Sequence, residues 1–115
     1  MSYGDYLREK NVNEERARVC ELLLSEEIGL VEGVRRIVER SRFLGFVFDD
    51  NIRFLEQIDL QSEHFPLGDS RKQYDDTQLK ALDKERQQFE SDNRDTVHEC
   101  CRQILRQMPD WASTS

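Results

Sequence analysis

Two prolines and five glycines are all the punctuation that these 115 residues carry, and a fold of many short strands joined by tight turns needs far more. Pro66 and Gly68 fall together, Pro109 lies near the end, and the other glycines stand at positions 4, 29, 33 and 45. Long helices are what such a chain has room for. The expected class is all-α or mostly α: a compact bundle of about four or five helices, with one long ordered loop and a long C-terminal helix or helix pair. Hydrophobic residues make up 37% and charged residues 36%, which gives a narrow core under wide charged faces but exceeds what a disordered chain would hold. The length fits a single domain over residues 1–115.

The periodicity places the elements. Residues 1–12 show no stripe and are expected to form an N-terminal arm. Asn13 with Glu14 and Glu15 reads as a cap and acidic first turn, followed at helical spacing by Ala17, Cys20, Leu23 and Leu24, for a helix over about residues 13–26. Ile28, Val31, Val34, Ile37 and Val38 make the clearest amphipathic stripe, with Glu32, Arg35, Arg36, Glu39 and Arg40 outside and Gly45 as its end. Gly29 and Gly33, four apart, leave one side of that helix open to close approach. Residues 46–48 read equally as a short buried strand or a connector. Ile52, Leu55 and Ile58 mark a short helix to about Asp59. Residues 60–76 hold Pro66 and Gly68 and no stripe, so they are the main loop, pinned by Phe65, Leu67 and Tyr74. Asp76 or Thr77 caps the last element, which runs to Met108 and ends at Pro109. Only Phe89 is large and apolar between Asp83 and Thr96, so a break near Ser91, Asp92 and Asn93 competes with a helix of about 45 Å. Residues 109–115, with Trp111, form a tail.

Charge narrows the partners. The net charge is −7, and residues 41–76 hold eight acids against four bases. Phosphate backbones and anionic membranes should repel such a chain, so neither is an expected partner. No apolar run approaches a membrane span, and the first residues lack the basic start and apolar run of a signal peptide. Cys20, Cys100 and Cys101 are odd in number and without framework spacing, which suits a reducing compartment and a cytoplasmic protein.

No catalytic set stands out. His98 and Cys101 share a helix face while Cys100 points away, so only two zinc ligands converge and no metal or other cofactor is expected. A reactive thiol needs a lowered pKa, and Cys100 and Cys101 sit near the negative end of their helix, which raises it. The acids have no spacing suited to general acid-base work. The segment from Asp49 to Tyr74 does mix exposed acids with aromatics, and Asp49, Asp50, Asp59, Glu63, His64, Phe65, Arg71 and Tyr74 are the candidate partner-binding residues. A plainer role for Pro66, Gly68, Arg71 and Tyr74 is to shape and tether the loop.

Across this loop, Ile58-Asp59, Pro66-Leu67-Gly68, Arg71, Tyr74, Leu79 and Asp83-Lys84-Glu85 form a pattern that resembles small uncharacterised bacterial proteins of about this length. In general character, the chain is similar to immunity proteins that neutralise toxins delivered between bacteria. That resemblance implies a non-catalytic module binding a basic partner such as a toxin domain through an acidic surface. The competing expectations are a small enzyme or ligand-binding protein with Asp59, Glu63, His64 and Arg71 around a pocket beneath the loop, and a homodimer that buries Phe89 against its twin.

Overall fold

The apolar stripe from Leu30 to Val38 becomes the centre of the molecule. In the computed structural model, which describes residues 3–43 and 49–108, it lies on the second of four α-helices: α1 Tyr3–Leu24, α2 Leu30–Phe43, α3 Asp50–Ser62 and α4 Asp76–Gln107, with a 3₁₀ segment over Gly68–Gln73 before α4. No strand occurs among the described residues, and none of their helices is long and apolar enough to cross a membrane. The expected all-α bundle is therefore what the chain forms. Helix α2 packs against the other three helices. Its Val34, Ile37 and Val38 are wholly enclosed, together with Cys20, Leu23, Ile52, Leu55, Ile58, Val97, Cys101 and Ile104.

Gly33 admits a close neighbour, though a side chain and not a backbone. A β-carbon there would stand 2.5 Å from Leu23 Cδ2 and 2.6 Å from its Cγ, so α1 and α2 close on each other only because this position is bare. Gly29 is exposed and a β-carbon there would meet nothing nearer than 3.8 Å, so the close approach belongs to one of the two glycines. Three ion pairs fasten the outer faces: Arg40 to Glu15 across α1 and α2, and Arg35 to Asp59 and Arg42 to Glu56 across α2 and α3.

Several boundaries differ from expectation. The N-terminal arm is helical from Tyr3, so Asn13 is no cap; it lies mid-helix and buried, accepting a 3.0 Å hydrogen bond from Arg16 Nη1 one turn on. Helix α1 closes with Glu26 at φ 58°, where the Glu26 and Glu27 amides reach back to Leu23 and Leu22 in the manner of a Schellman turn. Helix α3 continues past Asp59 to Ser62, which shortens the loop. Helix α4 is capped by Asp75, whose carboxylate accepts from the Gln78 amide while the Gln78 side chain accepts from Asp75. It runs unbroken for 32 residues. Of the two alternatives the continuous helix is the one formed, and polar side chains bond along it: Asn93 Nδ2 donates to the Phe89 carbonyl, Gln88 to Asp92, and Arg86 to Glu90. The possible strand over 46–48, the helix end at Gly45 and the tail over 109–115 lie outside the described residues.

Candidate functional site

The acidic segment divides at α3. At its start, Asp49 is the N-cap, with Oδ1 accepting from the Asn51 and Ile52 amides at 2.9 and 3.2 Å, and Asp50 is exposed beside it. At its end, Ser62 turns inward and bonds the Ile58 carbonyl, Asp59 receives Arg35 Nε at 3.1 Å, and Arg35 also donates to the Ser62 carbonyl. The rise of a helix separates Asp50 from Glu63 by about 20 Å, so the expected residues form two groups. Inward positions Ile52, Leu55 and Ile58 leave Arg53, Gln57, Leu60, Glu63 and His64 facing water. Within that polar row, Leu60 is an aliphatic side chain at 52% exposure.

Beyond α3 the chain folds tightly onto α4. Phe65 is buried, its ring 4.0 Å from His64 and 5.9 Å from Phe89 between centres, and Pro66 is buried beside it. Phe89, half-buried, thus packs against Phe65 within the chain. Gly68 takes φ 57°, a left-handed conformation that suits glycine. The Ser70 hydroxyl then accepts from the Leu67 amide and donates to the Leu67 carbonyl. Arg71 grips Asp83 with both terminal nitrogens, at 2.7 and 2.8 Å, and this pairing holds the Asp83 carboxyl below the usual carboxylate range. From Asp83 the contacts continue through Arg86 to Glu90, and Glu90 accepts the Val31 amide at 3.1 Å. One line of charge therefore joins the loop to the first turn of α2. Tyr74 bonds Arg71 through its backbone and leaves its ring partly exposed.

Of the residues expected around a pocket beneath the loop, Asp59 turns to Arg35 and Arg71 to Asp83, while Glu63 and His64 face water. Two clefts among the described residues lie elsewhere. One, of about 340 Å³, sits at the α1–α2 turn between Glu26, Glu27, Glu90, Arg94 and His98. The other, of about 350 Å³, lies between α1 and α4 and includes Arg16 and Asp49. The thiols are enclosed. A hydrogen bond to Cys101, and then burial, push the Cys20 thiol far up, and burial pushes Cys100 up to about 11. Both shifts favour the protonated thiol, whereas the contact with Cys20 pulls Cys101 down, against the rise expected near the end of α4. No group of three or more metal-ligating side chains converges among the described residues.

Arg71 stood out in the sequence, but its partner Asp83 and the Arg86 and Glu90 that extend the line did not. Their three- and four-residue steps along one helix face were the available signal. No family model matches the chain, and neither a curated relative nor a solved structure does.

Proposed function

We propose that this chain is a non-catalytic protein-binding module whose contact surface is the outward face of α3 and the loop that follows it. The observation that carries this reading is the row Gln57, Leu60, Glu63 and His64, an exposed aliphatic side chain set among polar ones on a helix whose opposite face is packed in the core. Such a row can enter a groove on a partner with Leu60 as its anchor. Glu63 and the exposed Asp69, Asp75 and Asp76 give this end an acidic character, which favours a basic partner and speeds encounter with it. The most concrete form is an immunity-type inhibitor that covers a basic toxin domain.

Asp49 and Asp59 serve the fold as cap and ion-pair partner, so the informative substitutions are Leu60→Ser and Glu63→Lys. Together they should abolish co-purification with a toxin encoded beside this chain, and protection against it, while thermal unfolding stays unchanged. Full protection by the folded double variant would rule out the α3 face as the contact surface.

A further inference from the structure

Cys20 and Cys101 meet in the seam between α1 and α4. Both side chains are wholly enclosed, and a hydrogen bond joins the two thiols. One turn to either side stand Ala17 and Leu23 on α1, and Val97 and Ile104 on α4, all buried. Each sulfur therefore has the other as a reactive neighbour within an aliphatic surround. Cys100, the third free cysteine, is set apart by geometry. Consecutive side chains on a helix diverge by about 100°, so Cys100 does not follow Cys101 onto Cys20. Nor do the neighbours suit each other, because adjacent α-carbons stand about 3.8 Å apart, short of the roughly 4.4 Å or more of an ordinary disulfide.

The two contacting thiols differ in readiness to react. Their hydrogen bond raises the pKa of Cys20 and lowers that of Cys101, so Cys101 is disposed to ionise first. We propose that a peroxide oxidises Cys101 and Cys20 to an intramolecular disulfide that staples α1 to α4. The Cys101 thiolate attacks one oxygen of hydrogen peroxide: an S–O bond forms, the O–O bond breaks, and the hydroxide released takes up the thiol proton as water. Cys20 then attacks the sulfenic sulfur, so that the S–S bond forms, the S–O bond breaks, and a second water leaves with the Cys20 proton. Two thiols are oxidised and one peroxide is reduced to two waters. Peroxide is scarcely larger than water and enters by local opening of the seam. The staple closes a ring that runs through α2 and α3, which restricts the unfolded chain and raises resistance to unfolding. It uses no residue of the α3 contact face and stands apart from the binding role.

For the test, the full chain is reduced, freed of reductant and treated with hydrogen peroxide in native buffer. It is then unfolded in guanidinium with N-ethylmaleimide and mapped by mass spectrometry. A peptide pair linked through Cys20 and Cys101, lighter by two hydrogens than the separate thiol peptides, should dominate, with maleimide on Cys100 alone. The oxidised chain should unfold at a higher temperature than the reduced one, and dithiothreitol should restore three thiols and the lower midpoint. Cys100→Ala should keep the cross-link and Cys101→Ala should lose it, while the mapping of the unsubstituted chain decides the matter even if a variant fails to fold. Maleimide on all three cysteines after peroxide, sulfinic acid at Cys101 in place of the cross-link, or a dominant bond through Cys100 would overturn the proposal. So would a Cys20–Cys101 cross-linked chain that unfolds no higher than the reduced one.

Discussion

Gly33 and Ser41 lie on the same buried side of α2 and test the packing from opposite directions. At Gly33, alanine would gain helix propensity but drive its β-carbon into Leu23, whose Cγ is itself enclosed and cannot swing clear. Overpacking costs about 1–3 kcal/mol and the propensity gain is at most about 1 kcal/mol, so Gly33→Ala should lose stability on the order of 1 kcal/mol in urea unfolding. Ser41 is fully enclosed and its hydroxyl has no hydrogen-bond partner among the described residues. Ser41→Ala removes that buried polar group and leaves only a small void, so it should gain about 1 kcal/mol. An equal or lower denaturation midpoint would show that the hydroxyl is satisfied after all.

Among the elements, the loop and α4 are joined by Arg71 and Asp83, and their pairing fixes a pH dependence. The Asp83 carboxyl titrates lower in the folded chain than in the unfolded one. Its stabilising effect is therefore complete above the unfolded value of about 3.9 and is lost as pH falls through the folded value. Hydrogen-exchange protection of the amides between Phe65 and Tyr74, compared after correction for the intrinsic exchange rate, should hold from neutral pH to about 4 and decline below it. Asp83→Asn should show weakened protection already at neutral pH.

Helix α2 was readable because its inward residues up to Val38 carry no polar side chain and its outward ones are nearly all charged. The first three turns of α1 were not, since Tyr3, Tyr6 and Leu7 remain 76%, 41% and 38% exposed and leave no buried stripe to detect. The continuity of α4 was hidden for a related reason: side-chain bonds along the helix, such as Asn93 to Phe89, leave no mark in apolar periodicity. At the candidate site, the sequence pattern located the loop and its Arg71 tether but could not show that α3 sets its acids at two ends. That depends on helix length, and Ser62 extends the helix by bonding a carbonyl one turn back.

As a whole, the molecule is longer than its residue count suggests. Its extents are 51 × 27 × 26 Å and its Cα radius of gyration is 15.3 Å, against about 13 Å for an ordinary domain of this size. Unbroken α4, at about 48 Å, accounts for the long axis. Its first half stands away from the core, since no residue of α4 before Glu90 is buried. Small-angle scattering should give a maximum dimension of at least 51 Å. A value near 40 Å would mean that α4 bends in solution.

Glu90 also orders events in time. The amide it holds in the first turn of α2 belongs to Val31, 59 residues earlier in the chain. A growing polypeptide exposes α2 long before it has made that carboxylate. The most sharply amphipathic helix must therefore wait, with its leading turn incomplete, until the second half of α4 is synthesised and docks. Any early halt in translation would strand it with its start open.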